Sequence, residues 1–309
     1  MMMIDRLFDA VIQKRNPSVL GLDTRLEYLP QELQSQFDAQ APFESAAALI
    51  RTFNYALIDA TADIIPAVKL QSAYYEMYGP QGVQAFLDTA RYAKEKGMLV
   101  MADCKRNDIG STAQAYAMAY LSSTPFPDGV ARSAFDMDFL TVSPYLGVDG
   151  VEPFVQACQQ AGKGIFVLVK TSNPSSGQLQ DIVANGKTIY AHMAELVAQW
   201  GQSQIGRHGY SSVGAVVGAT YPAQGAELRA AFPSVPFLVP GYGAQGGKSD
   251  DLALTFDERG LGAVVNASRS LMCAHQKCDA PYAQATREEA VRMREDLLGA
   301  LAKAKRLSY

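Results

Sequence analysis

The sequence predicts a (β/α)8 barrel, and three observations carry that expectation. Eight short apolar runs, at residues 19–23, 64–71, 98–105, 139–145, 164–171, 213–220, 236–240 and 262–268, have the length and continuity of strands buried on both faces. Amphipathic stretches at residues 44–63, 81–96, 150–161 and 188–202 fall between them, and strand alternating with helix produces right-handed parallel βαβ units. Polar and ionisable residues gather where the runs end, which is the edge on which such barrels carry their functional groups. An open, doubly wound sheet stays the competitor, because counting strands does not separate the two.

The flanking segments follow the same logic. Ile4, Leu7, Phe8, Val11 and Ile12 recur at helical spacing and predict an opening helix near residues 3–14. Residues 121–138 are rich in Pro, Ser and Asp and read as a loop insertion rather than a linker. Near the end, Thr286-x-x-Glu289 has the spacing of a capping box, and Ala290, Met293, Leu297 and Leu301 form one apolar stripe. A helix over about 286–305, packed on the barrel wall, accounts for both features. The whole chain of 309 residues is therefore expected to fold as a single barrel domain.

Composition removes several classes of function. With 48% hydrophobic and 19% charged residues, the chain is ordinary for a globular protein with a large core. A net charge of -4 offers no electrostatic reason to bind nucleic acid or an anionic membrane. No run approaches the ~18 apolar residues needed to cross a bilayer, and Asp5, Arg6 and Asp9 interrupt any secretory signal. Cys104, Cys158, Cys273 and Cys278 are too scattered for a disulfide framework and form no Cys-x-x-Cys pair. The three histidines also lack metal-ligand spacing, so no metal site is expected and a reduced, cytoplasmic setting fits.

The densest chemistry lies in residues 99–110, Leu-Val-Met-Ala-Asp-Cys-Lys-Arg-Asn-Asp-Ile-Gly. Strand alternation puts Asp103 and Lys105 on one face and Cys104 on the other, with Asp108 following where the chain turns. Ser111-Thr-Ala-Gln114 then reads as a capping box opening the next helix. Two readings of the cluster stay open, a structural ion-pair network and a catalytic site. If it is catalytic, the flanking carboxylates favour the ammonium form of Lys105, which suits a proton donor better than a Schiff-base nucleophile. Lys69, closing the run Val68-Lys-Leu-Gln71, would extend the alternating charges, and Asp23, Ser172 and Arg269 stand at further strand ends.

A second cluster suits an anion. The seventh run leads into Pro240-Gly-Tyr-Gly-Ala-Gln-Gly-Gly, and the eighth into Asn266-Ala-Ser-Arg-Ser270. Barrels frequently bind phosphate with the loops after these two strands; glycines let amides approach an anion, and Arg269 offers a fork of donors. Two tempting matches fail. Gly241-x-Gly243-x-x-Gly246 has dinucleotide-fingerprint spacing, but it follows Pro240 and opens no clear amphipathic helix. Gly247-Lys248-Ser249 resembles the end of a P-loop, but Tyr242 occupies the required leading glycine position.

Taken together, these residues resemble the orotidine 5'-phosphate decarboxylase family. Asp103-Cys-Lys105-Arg-Asn-Asp108-Ile-Gly matches its Asp-x-Lys-x-x-Asp-Ile signature, supported by Gly-Leu-Asp23, Val-Lys69-Leu-Gln and Pro-Gly-x-Gly-Ala-Gln. The likeness runs from about Val19 to Arg269, and Lys170-Thr-Ser-Asn-Pro174 with the longer loops is similar to the family's extended bacterial branch. The resemblance implies cofactor-free decarboxylation of orotidine 5'-monophosphate to UMP, a late step of pyrimidine synthesis. In that reading Lys105 would protonate C6 of the pyrimidine as carbon dioxide leaves, within a charge network of Asp103 and Lys69. Asp108 would enter from the partner subunit of a homodimer, accompanied by Thr112. Asp23 and Lys69 would contact the ribose, Ser172 the pyrimidine, Arg269 the phosphate, and Gln245 would bridge base and phosphate.

Three alternatives differ in chemistry. A related barrel decarboxylase acting on a sugar-phosphate acid would stabilise an enediolate with magnesium. An aldolase would form a Schiff base at Lys105 or Lys170. A phosphate-ligand-binding barrel would bind without turnover, and would be indifferent to loss of the Lys105 amine.

Overall fold

The computed structural model describes residues 1–243 and 247–309. Every apolar run forms a strand: β1 Ser18–Leu22, β2 Ala67–Gln71, β3 Leu99–Arg106, β4 Phe139–Val142, β5 Gly164–Lys170, β6 Val213–Val217, β7 Phe237–Pro240 and β8 Ala263–Ala267. They pair in parallel and close into a barrel in the order β1-β8-β7-β6-β5-β4-β3-β2, which removes the open-sheet alternative. The fourth run stops earlier than its apolar pattern suggests, because Pro144 has no N–H to donate to a ladder.

The principal helices stand around the barrel, except the first, which lies across one end of it. They are α1 Met3–Lys14, α2 Pro42–Thr61, α3 Gly79–Glu95, α4 Gly110–Leu121, α5 Val148–Ala161, α6 Ile189–Gly201, α7 Pro222–Ala231 and α8 Tyr282–Lys303. Among the described residues, no helix is long and apolar enough to cross a membrane.

Strand alternation divides the apolar residues into two cores. One set, including Val19, Ala67, Met101, Phe139, Phe166, Leu238 and Val264, fills the barrel and meets Met3, Ile4, Leu7 and Phe8 of α1. The opening helix therefore plugs the barrel at the N-terminal ends of its strands. The opposite strand faces, with residues such as Val68, Val100, Leu140, Val167 and Val265, pack against the surrounding helices. At the same closed end the buried Arg229 guanidinium donates to the carbonyls of Thr255, Val235 and Gly262. Burial pulls its pKa down to about 10, and its cation lies over the Phe237 ring. The polar interior of the barrel is thus left to the opposite end.

Both expected capping boxes are corrected. Helix α4 begins at Gly110 with Ile109 at its N-cap, which puts Ser111 already inside the helix. Helix α8 begins at Tyr282 behind Pro281, four residues before Thr286. Thr286 is fully buried, and its hydroxyl donates to the carbonyls of Tyr282 and Leu271. A Ser/Thr-x-x-Gln/Glu pattern also occurs inside helices, where a hydroxyl can bond back to the preceding turn, as that of Thr286 does. The stripe Ala290, Met293, Leu297 and Leu301 is buried as its spacing predicts. The insertion 121–138 is not wholly a loop: Thr124–Pro125 and Ala131–Arg132 pair as a short antiparallel ribbon.

Candidate active site

The C-terminal ends of the strands surround a cavity of about 680 Å³. Asp23 follows β1, Lys69 and Gln71 end β2, Asp103 and Lys105 end β3, Ser172 follows β5, and Arg269 follows β8; all line this cavity. Five separate strand ends therefore deliver expected site residues to one space, although they are distant in sequence.

Its floor is an alternating charge array. Lys69 Nζ lies 3.4 Å from Asp23 Oδ1 and 2.7 Å from Asp103 Oδ2, while Lys105 Nζ lies 2.7 Å from Asp103 Oδ1. Gln71 Nε2 also donates to Asp103 Oδ2 at 3.0 Å, and the Thr141 hydroxyl donates to Oδ1 at 2.9 Å. The Asp103 carboxylate thus accepts four hydrogen bonds and has no freedom to turn. Burial works against the charged form of Asp103, but the charges and hydrogen bonds of Lys69 and Lys105 overcome it and hold the carboxyl well below the usual carboxylate range. Burial likewise opposes the Lys69 ammonium, and the charges of Asp103 and Asp23 outweigh it, moving its pKa upwards.

Exposure separates the two lysines. The Lys69 side chain is 4% exposed and already paired on two sides, whereas that of Lys105 is 44% exposed and opens onto the cavity. Of the two lysines, both of which line the cavity, Lys105 presents the more open ammonium. Its backbone has φ +48°, in the left-handed region that long side chains rarely occupy.

The opposite wall suits an anion. Gly241 and Gly243, with φ +104° and +69°, turn the chain after β7 in a way that a side chain would hinder. Tyr242 between them donates its hydroxyl to Asp296 of α8, tying this loop to the barrel wall. Arg269 opens the short helix Arg269–Met272 across the gap. A Cβ on Gly21 of β1 would lie 2.0 Å from Ser268 Oγ, so glycine is what lets β1 and this loop meet. The expected phosphate ligand Gln245 lies outside the described residues.

Three expected residues stand elsewhere. Asp108 and Thr112 do not line the cavity; Asp108 sits before α4, with its Oδ1 accepting the Ile109 N–H at 2.8 Å. Lys170 is fully buried outside the cavity, 2.6 Å from Asp181 and over the Tyr221 ring. A ligand in this cavity therefore does not meet the Lys170 amine, which disfavours the Schiff-base role considered for it.

Comparison with known proteins settles the family. The model of the orotidine 5'-phosphate decarboxylase / HUMPS family matches residues 44–280. The chain belongs to this family. An orotidine 5'-phosphate decarboxylase of Rhodopirellula baltica is 46% identical over 297 residues, covering 94% of this chain and 97% of that one. One from Clostridium acetobutylicum is 40% identical, covering 96% of this chain and 99% of the relative. Among solved structures, Leishmania donovani OMP decarboxylase is similar with a TM-score of 0.71 and 30% identity, over 95% of this chain and 99% of that chain. The family members it resembles are thus matched nearly end to end, barrel and insertions included.

Sequence reasoning passed over several lining residues: Thr141, Asn266, Gln180, Tyr28 and Tyr74. Two left a usable signal. Asn266 interrupts the apolar run Val264-Val-Asn-Ala267, and Thr141 interrupts Phe139-Leu-Thr-Val142, each on a strand end. The Asn266 Oδ1 is buried without a hydrogen-bond partner among the described residues, leaving an acceptor for a ligand donor.

Proposed function

We propose that this protein decarboxylates orotidine 5'-monophosphate to UMP and carbon dioxide, with Lys105 delivering a proton to C6 of the pyrimidine. The observation that carries this reading is the array Asp23–Lys69–Asp103–Lys105, which lines the cavity and ends in its more open ammonium, that of Lys105. Breaking the bond between C6 and the carboxylate releases carbon dioxide and leaves its electron pair on C6. An ammonium fixed beside that carbon stabilises the growing negative charge and then transfers its proton there, leaving a neutral amine that solvent reprotonates. Because Asp103 is clamped by four donors, the field at C6 needs no rearrangement during the reaction, which is how preorganised charge lowers a barrier. Asp23 and Lys69 hold the ribose hydroxyls, Ser172 the pyrimidine edge, and Arg269 with Gln245 the phosphate. Binding energy from the phosphate supports orientation at C6, so removing it lowers turnover as well as affinity. The cytoplasmic setting expected from the cysteines belongs to the same reading.

Asp108 acts across a homodimer in this proposal. Ile109, Tyr145, Leu146 and Val148, beside and opposite Asp108 on the segments that follow β3 and β4, are exposed large apolar residues of the kind a second subunit covers. Equal mixing of inactive Lys105→Ala and Asp108→Asn subunits is expected to restore activity. Random pairing gives one intact site in about half the dimers, or about a quarter of the wild-type sites. A mixture as inactive as its components overturns the shared site.

The decisive assay incubates the protein with orotidine 5'-monophosphate and excess EDTA and measures carbon dioxide and UMP. Equimolar products at an undiminished rate are expected. No release overturns the function, and release that is lost with EDTA overturns its cofactor-free form.

A further inference from the structure

The left-handed backbone at Lys105 has a specific support. Ala102 of β3 pairs with Leu140 of β4, and Arg106 pairs with Val142, so residues 103–105 pass opposite Thr141 alone. Such a bulge removes ladder partners and re-aims a side chain. At this bulge the Lys105 N–H donates to Thr141 Oγ1 at 3.0 Å rather than to a strand carbonyl. The peptide N–H has only a proton to give, so the hydroxyl accepts there, and its own proton goes to Asp103 Oδ1 at 2.9 Å. That carboxylate oxygen also accepts Lys105 Nζ at 2.7 Å. One hydroxyl therefore holds both ends of the Asp103–Lys105 unit, the backbone of one residue and the carboxylate of the other. Thr141 is 2% exposed, so water has little room to take over either bond.

We propose that Thr141 is a positioning residue: its hydroxyl fixes the bulge that turns Lys105 into the cavity and aligns the carboxylate that orients its ammonium. This rests on the decarboxylase reading for its kinetic consequence, but not for its geometry. Serine carries the same donor and acceptor and keeps the role. Valine keeps the shape and loses it, leaving the Lys105 N–H and Asp103 Oδ1 each short of a partner.

The test compares wild type with Thr141→Val and Thr141→Ser by turnover of orotidine 5'-monophosphate, by UMP affinity and by crystal structure. For Thr141→Val, kcat is expected to fall about 10²-fold, the scale associated with a small misplacement of a reacting group, with UMP affinity changed less than about 3-fold. Its structure should show Lys105 outside the left-handed region or Nζ displaced from Asp103. Thr141→Ser should stay within about 5-fold of wild type. An unchanged Lys105 geometry in Thr141→Val overturns the proposal whatever the kinetics. Displaced geometry with wild-type kcat, or a Ser variant as slow as the Val variant, overturns its role in turnover. A wild type that releases no carbon dioxide refutes the decarboxylase reading instead, and the crystal structures still decide the positioning.

Discussion

Lys105→Ala is expected to give a folded protein whose decarboxylation of orotidine 5'-monophosphate is slower by about 10⁴-fold or more, because in the proposed mechanism it removes the proton donor and the nearest fixed cation together. The fold should survive. The Lys105 side chain is 44% exposed and its one ion pair is with Asp103, which keeps Lys69, Gln71 and Thr141 as donors. A pair this exposed contributes about 1 kcal/mol or less, which for a chain of this size is a melting shift of about 2 °C or less. Lys105→Arg sharpens the test. Arginine keeps the charge but does not surrender a proton at accessible pH, so it should recover little of the lost rate. Steady-state assays on protein free of host enzyme, with calorimetry alongside, check both halves. Near-wild-type turnover in Lys105→Ala would falsify the mechanism, and wild-type turnover in Lys105→Arg would restrict the lysine to an electrostatic role.

What could be read from the sequence follows from which physics is local. The eight strands were legible because a parallel strand is buried on both faces and its apolar residues run on without interruption. The cavity-lining places of Asp23, Lys69, Asp103 and Lys105 were legible because each breaks such a run near its end. Lys170 looks the same in sequence as Lys69, yet it lies outside the cavity. The reason is a register change: Val216 of β6 pairs with Leu168, and Val217 with Lys170, so alternation fails between the two. Leu168 lines the cavity, and the shift carries Lys170 away towards Asp181. A single slip decides which face a side chain takes, and nothing within residues 164–171 encodes it. Thr141 was missed for a related reason. Its break in the run 139–142 marks it as polar, but the bulge in the neighbouring strand β3 that gives it two partners is not visible there. The capping patterns at Ser111 and Thr286 misled because four residues do not specify whether a helix has already begun.

Asp103→Asn should be damaging to both stability and catalysis, and its pH dependence identifies the cause. The amide keeps the size of the side chain but withdraws a charge from between two cations, leaving the buried Lys69 with Asp23 at 3.4 Å as its remaining carboxylate. Breaking one member of a buried pair typically costs about 3–5 kcal/mol, so urea denaturation at pH 7 should register a loss of that order. Turnover should fall about 10³-fold or more, since the carboxylate that aims Lys105 is gone. The pH test uses the sign of the Asp103 shift. Its folded pKa is depressed, so the unfolded chain binds the extra proton first as pH falls. The stabilisation is complete above the unfolded carboxylate value of about 3.9 and is lost progressively below it. The stability gap between wild type and Asp103→Asn should therefore be constant from about pH 7 to 5 and should narrow steadily below about pH 4. A gap that stays constant through the acid range would mean that the variant is destabilised by packing or by a misplaced amide. In that case the array is not an electrostatic unit, and a fixed field is not what lowers the barrier at C6.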